Sequence, residues 1–158
     1  MRSSLPCMRA ASLVVSGTPV LRPQGQTEPG QDGVPRFGPS RALDYELEVG
    51  AFLGPGNAPG RAGPRAHPGG QIYGLCLPHA WAARDLQKWD FQPLGPFLAK
   101  SFATSISPWV VTLEALAPFR VPAFERPADD PQPLPYLFDD EDRAHGGIDL
   151  QLEVLLSS

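Results

Sequence analysis

Little in this sequence points to secretion, a membrane or nucleic acid. Cys7 and Cys76 are the only cysteines and lie far apart, which reads as two buried or incidental free thiols, with a disulfide or a reactive cysteine the alternative. No apolar run approaches the roughly 18 residues of a membrane span. Positive charge is in deficit, with 13 basic against 17 acidic residues and a formal charge of −4, so no basic surface offers itself to nucleic acid. The start, MRSSLPCMRAASLVV, has a short apolar stretch, but Arg9 interrupts it and no cleavage site follows; the chain reads as cytoplasmic. His67, His79 and His145 have no metal-ligand spacing among them. What abounds is turn-forming residues, 20 Pro and 16 Gly, which argue against long helices and for strands joined by turns. A hydrophobic content of 42% excludes wholesale disorder.

The pattern predicts a mainly β, β-rich fold with short helices. SLVVSGTPV (12–20) reads as a strand ending in a Gly-Thr-Pro turn. Residues 22–40 read as a Pro/Gly-rich connection, and a strand follows over about 42–53. Residues 58–70 have no periodicity. QIYGLCL (71–77) reads as a strand buried on both faces, and HAWAARDLQKW (79–89) as a short helix before Pro93 and Pro96. SPWVVTLEAL (107–116) reads as a strand, 118–136 as another connection, and GIDLQLEVLLSS (147–158) as a final strand. That strand has no partner after it, as expected of a sheet cut in the middle. Trp81, Trp89 and Trp109 read as core or interface packing, and Tyr45 and Tyr73 as packing residues at strand spacing.

The strand at 43–49 raises a question of charge. Leu43, Tyr45, Leu47 and Val49 alternate with Asp44, Glu46 and Glu48, so one face is apolar and the other carries three carboxylates about 7 Å apart. Such a row is either the solvated side of an edge strand or a set of oxygen ligands awaiting a cation. Arg84 and Gln87 stand three apart and share a helix face. A guanidinium and an amide aimed at one point suit a developing oxyanion or enolate; an ordinary surface pair of Arg84 with Asp85 is the plainer alternative. Lys100 sits between apolar residues in FLAKSFATS, which predicts partial burial beside a charge partner.

These stretches carry a resemblance. ARDLQKWDFQPLGPFLAKSFATSISPWVVTLEALAPF, with YELEVGAFLGPGN before it and PLPYL after it, resembles the fumarylacetoacetate hydrolase family. LVVSGTPV and IDLQLEVLL extend the match over most of the chain. The resemblance implies one partial C-terminal catalytic domain over 1–158, truncated at both ends. Its best blocks are 12–57 and 71–156, and 1–8, 58–70 and 78–82 diverge. Residues 58–70 have the composition of a GC-rich sequence read out of frame, which suggests a degraded or mis-read gene. The implied activity is metal-dependent hydrolysis of the carbon–carbon bond of 4-fumarylacetoacetate, a small-molecule substrate, to fumarate and acetoacetate in tyrosine breakdown, by a homodimer. By the same resemblance Ca²⁺ and Mg²⁺ are held around Glu46, Glu48, Lys100 and Thr104. Arg84, Gln87 and Lys100 stabilise the oxyanion, and Gln87 and Phe91 meet the substrate, Phe91 standing where the family has a Tyr. Asp44 is left as a structural residue. Two departures predict inactivity. Ala80 occupies the place of an Asp ligand, with His79 a poor substitute one residue out of direction, and the general-base His lies outside this chain. The alternative is a non-catalytic remnant that binds a full-length partner, or an unstable truncated product.

Overall fold

The structure, a computed structural model, describes residues 12–55, 58, 60, 71–93 and 95–157. Among them the chain order begins β1 (Leu13–Val15), β2 (Gln24–Thr27), β3 (Arg36–Pro39), β4 (Leu43–Leu47), β5 (Gly50–Leu53), β6 (Ile72–Cys76) and β7 (Pro78–Ala83). It continues with α1 (Arg84–Asp90), α2 (Phe97–Lys100), β8 (Thr104–Ile106), β9 (Val111–Thr112), α3 (Leu113–Leu116), β10 (Arg120–Val121), α4 (Asp140–His145) and β11 (Gly147–Ile148). The fold is mainly β with short helices. These residues form two compact units, one taking those up to Gly50 with Cys76–Trp109, the other Ala51–Leu75 and those from Val110 onward.

In the first unit four strands make a sheet in the order β1-β8-β7-β4. β7 runs antiparallel to both neighbours, with Glu46 opposite Ala80 on one side and Thr104 opposite Ala80 on the other. β1 lies parallel to β8. The helix expected over 79–89 therefore begins only at Arg84, because 78–83 is the strand between β4 and β8. The Ala residues responsible for the helical reading serve packing here. Ala80, Ala82 and Ala83 are buried, and Ala83 joins Leu86 of α1 and Ala99 of α2 in the buried cluster. Two ladders of backbone hydrogen bonds and close helix packing outweigh the few tenths of a kcal/mol per residue in helix propensity.

Residues 22–40 are more than a connection, since β2 and β3 pair antiparallel within them. Pro39 lies at the end of that register, opposite Gln24, where its missing N–H interrupts no interior rung. The turn between them holds Gly33 at φ 69°, a conformation that glycine adopts without strain. Helix α1 lies on this hairpin: Trp89 Nε1 donates to Gln26 Oε1 at 3.1 Å and Lys88 pairs with Glu28 at 2.6 Å.

In the second unit β6 lies between β5 and β9. β6 is not buried on both faces: Gly74 is buried while Tyr73 is 64% exposed, so Tyr73 is no packing residue among the described residues. The strand expected over 107–116 is confined to β9, after which Thr112 caps α3, its hydroxyl accepting from Ala115 N at 3.3 Å. A Thr followed by Leu-Glu-Ala-Leu satisfies a helix start better than a continued strand. Within 118–136, β10 pairs with β11. The final strand shrinks to Gly147–Ile148, and residues 149–157 take no strand form, because β10 supplies pairing for two residues only. Trp109 is 80% exposed and is not core, whereas Cys76 is a free, buried cysteine; Cys7, His67 and the start of the chain lie outside the described residues.

Close approach in this second sheet generates a test. A Cβ on Gly74 would meet the Val111 carbonyl oxygen at 2.5 Å and Thr112 Cα at 3.1 Å, both backbone atoms that cannot swing aside. Gly74→Ala is expected to destabilise the chain by about 1–3 kcal/mol in urea unfolding. Gly54→Ala, whose nearest neighbour is Gln71 O at 3.6 Å, should cost clearly less; equal costs would contradict the packing of β6 on β9.

Candidate functional site

The site grows from the period of β4. Asp44 and Glu46 fall on one face of the strand, and across the sheet Glu46, Ala80 and Thr104 stand in one row on β4, β7 and β8. Paired residues of neighbouring strands share a face, so the row brings a carboxylate, a methyl group and a buried hydroxyl side by side. Glu48 lies one step further, just past the end of β4, where its N–H still donates to Pro78 O at 3.0 Å.

Two helices bring cations to this face. Arg84 opens α1 immediately after β7, and its guanidinium serves three acceptors. Nε donates to Asp44 Oδ2 at 2.7 Å, Nη2 to Glu46 Oε1 at 2.9 Å and Nη1 to Gln87 Oε1 at 3.0 Å. Lys100 closes α2 and its Nζ donates to the same Glu46 Oε1. The cations demanded by the acidic strand are thus Arg84 and Lys100. Lys100 is 6% exposed, and an ammonium so placed is stable only when paired.

The protonation tendencies follow from these contacts. Burial pushes the Glu46 carboxyl up, but hydrogen bonds from Lys100 and Arg84 outweigh it and hold it below 4.5. Asp44 is held below 3.8, chiefly by the hydrogen bond from Arg84. That bond in turn raises Arg84, which stays a cation. Asp85 does not pair with Arg84. Its carboxylate accepts from Ser40 Oγ at 2.6 Å, Arg41 N at 2.7 Å and Leu86 N at 3.0 Å. Burial pushes Asp85 up, and these donors hold it below 3.8. It ties the chain ahead of β4 to the start of α1, and so fixes Arg84 against Asp44.

The structure thus joins Glu46, Arg84, Gln87 and Lys100 directly, with Ala80 and Thr104 in the same row. Glu48 forms no ion pair with any described residue, and Phe91 follows α1 and is 46% exposed. His79 faces away from Glu46: it stands opposite Leu47 and stacks on Trp81 at 4.5 Å, beside Tyr45 at 5.3 Å. Among the described residues no three or more His, Cys, Asp or Glu converge to hold a metal ion. With Ala80 between Glu46 and Thr104 and two cations on Glu46, the residues present do not fit a divalent ion.

Two carboxylates do more than sequence reasoning assigned them. Asp44, placed on the acidic face by the period-two pattern and left as a structural residue, is bonded to Arg84 in the charge network. Asp90 holds α2, its Oδ2 accepting from Leu98 N at 3.2 Å and Ala99 N at 3.3 Å, while Oδ1 is buried with no partner among the described residues. No local signal marked it, because its partners are backbone groups eight and nine residues on.

Comparison with known proteins decides the family. A family model described as Fumarylacetoacetate (FAA) hydrolase C-terminal matches residues 3–154. The chain belongs to the fumarylacetoacetate hydrolase family. It is 50% identical to a fumarylacetoacetase of Arabidopsis thaliana over 148 residues, covering 94% of this chain and 34% of the relative. Against the fumarylacetoacetase of Homo sapiens the identity is 52% over 133 residues, 84% of this chain and 31% of the relative. For that of Dictyostelium discoideum it is 47% over 153 residues, 95% and 34%. The chain spans about a third of the length of these curated relatives. No described helix is long and apolar enough to cross a membrane.

The lowered carboxyls fix the sign of an acid response. Asp44, Glu46 and Asp85 contribute stability that is present above their ordinary values (3.8 for Asp, 4.5 for Glu). It is lost as pH falls through the lower folded values, where the unfolded chain binds more protons. Asp85→Asn should cost about 1.5–3 kcal/mol near neutral pH, since the lost bonds are to a charged acceptor. It should also flatten the acid limb of a urea-unfolding series. An unchanged limb would remove Asp85 from that role.

Proposed function

We propose that this chain is the oxyanion-binding part of a carbon–carbon hydrolase acting on 4-fumarylacetoacetate, with a remnant of the family's Ca²⁺/Mg²⁺ centre. The observation that supports it is the convergence of Arg84, Gln87 and Lys100 around Glu46, in a family whose relatives are named fumarylacetoacetase. Hydrolysis of such a bond needs water to add to a carbonyl and a carbanion equivalent to leave as an enolate. Both steps develop negative charge on oxygen. Arg84 has N–H groups beyond the three already bonded, and with Lys100 it gives a fixed positive field for that charge. Gln87 orients Arg84, and Phe91 offers the substrate an apolar edge without a hydroxyl. The general base comes from outside these residues, and removing a base costs typically 10²–10⁴-fold. The active form pairs as a homodimer, and a divalent ion would supply electrostatic stabilisation only where a carboxylate replaced Ala80 beside Glu46, Glu48 and Thr104.

A second reading, a non-catalytic remnant that binds a full-length partner, is favoured by the exposed apolar residues after β11, among them Leu150, Leu152, Leu155 and Leu156. Size-exclusion chromatography with and without a full-length relative separates this reading from an unstable truncated product.

Three measurements test the proposal. The 158-residue polypeptide alone should show no hydrolysis of 4-fumarylacetoacetate above background, and turnover near an ordinary enzyme's roughly 10 s⁻¹ would refute this. Ala80→Asp should give the chain measurable Ca²⁺ binding in calorimetric titration, because ligand charge tunes such sites, without restoring activity. Glu46→Gln in that background should remove the gain. A folded Ala80→Asp chain with unchanged affinity would take position 80 out of the site.

A further inference from the structure

We propose that Lys100 is the resident cation of the acidic strand, holding on Glu46 the place a divalent ion would take, and that the chain as it stands is closed to Ca²⁺ and Mg²⁺. The inference rests on the reading of Glu46 as the centre of the site.

Burial is the first ground. Lys100 is one of two lysines in the chain and the buried one, at 6% exposure, while Lys88 pairs with Glu28 at the surface. Its neighbours Ala99, Ala103 and Thr104 are buried too. A desolvated ammonium must keep a carboxylate, and the only one it meets among the described residues is Glu46.

Charge balance is the second. Lys100 Nζ and Arg84 Nη2 both take Oε1 of Glu46, and Arg84 Nε takes Asp44. On Asp44 and Glu46 two positive groups stand against two negative ones, so this pair holds no net charge to draw in a dication, while Glu48 one step further on forms no ion pair with any described residue. To enter, the ion would have to displace an ammonium from the one carboxylate it is paired with among the described residues.

Space and anchoring complete the case. Across the sheet from Glu46 the next side chain is the methyl of Ala80, 4% exposed, which gives no oxygen. Lys100 is also held in place from behind, because Asp90 fixes the first turn of α2 through Leu98 N and Ala99 N. The ammonium is pre-set on Glu46, whereas an ion would need to assemble its ligands.

The test compares the chain with Lys100→Met and with Lys100→Met/Glu46→Gln, titrated with Ca²⁺ and with Mg²⁺ by calorimetry and by melting temperature. The unsubstituted chain should take up neither ion at about 10 mM, well above the roughly millimolar Kd of weak calcium sites. Lys100→Met, which keeps the apolar stem and removes the charge, should bind Ca²⁺ saturably and melt higher with the ion than without it. The double variant should lose both effects. Saturable binding by the unsubstituted chain overturns the proposal, and so does a folded Lys100→Met that takes no ion. Should the methionine variant not fold, Lys100→Gln, which retains a hydrogen bond to Glu46, takes its place under the same criteria. A gain with Ala80→Asp but none on removing Lys100 overturns this inference alone. The reverse overturns only the place given to position 80.

Discussion

Carboxylates on one face of a strand must be neutralised, and in this chain that requirement organises the first unit. Asp44 and Glu46 lie too close to be left as bare anions against packed helices. The compensation comes from Arg84 and Lys100, each at an end of a short helix. Both helices must therefore end where they do. If α1 began a residue later, Arg84 would no longer span Asp44 and Glu46. If α2 ended a residue early, the ammonium would fall short of Oε1. The Asp85 and Asp90 contacts are best understood in this way. Asp85 fixes where α1 starts and Asp90 fixes where α2 starts, so two carboxylates outside the charge cluster set the registers of the two helices that close it.

The second constraint is size. Helices can approach the sheet because β7 carries Ala80, Ala82 and Ala83 where larger side chains would hold them off. The same small residues make position 80 a methyl between Glu46 and Thr104. Packing and chemistry make opposite demands at that position. A carboxylate there would extend the charged row, whereas Ala lets the row close on its own cations.

How much of this was legible in the sequence depended on the range of the interactions. The acidic strand was legible because a period of two is a local signal, and so was the shared helix face of Arg84 and Gln87. The burial of Lys100 beside a charge partner followed from its apolar neighbours. The role of 78–83 was not legible, since Ala-rich sequence favours a helix until two neighbouring strands are in place. The hairpin within 22–40 was hidden by its Pro and Gly content, because backbone pairing leaves little mark on composition. The strand expected over 147–158 failed for the opposite reason: alternation was present, but a strand also needs a partner, and β10 is two residues long. The identity of the cation on Glu46 was beyond any local reading, since Lys100 reaches it from 54 residues away.

The contrast between Glu46 and Asp90 shows why the first gathers cations and the second acts as a clasp. Burial pushes both carboxyls up. At Glu46 the donors are an ammonium and a guanidinium, and their charge overcomes the burial, so the group is held ionised. At Asp90 the donors are backbone N–H groups from Ala99 and Leu98, and burial prevails, leaving its carboxyl above 3.8. A donor with a full charge brings both a hydrogen bond and a field, which count for more where water is excluded. A neutral N–H brings mainly the bond. Asp90 can therefore order a turn without building up a field, while Glu46 gathers two cations at one oxygen. The positive groups that meet there are the ones proposed above to stabilise a developing oxyanion, and Glu46 keeps them in place.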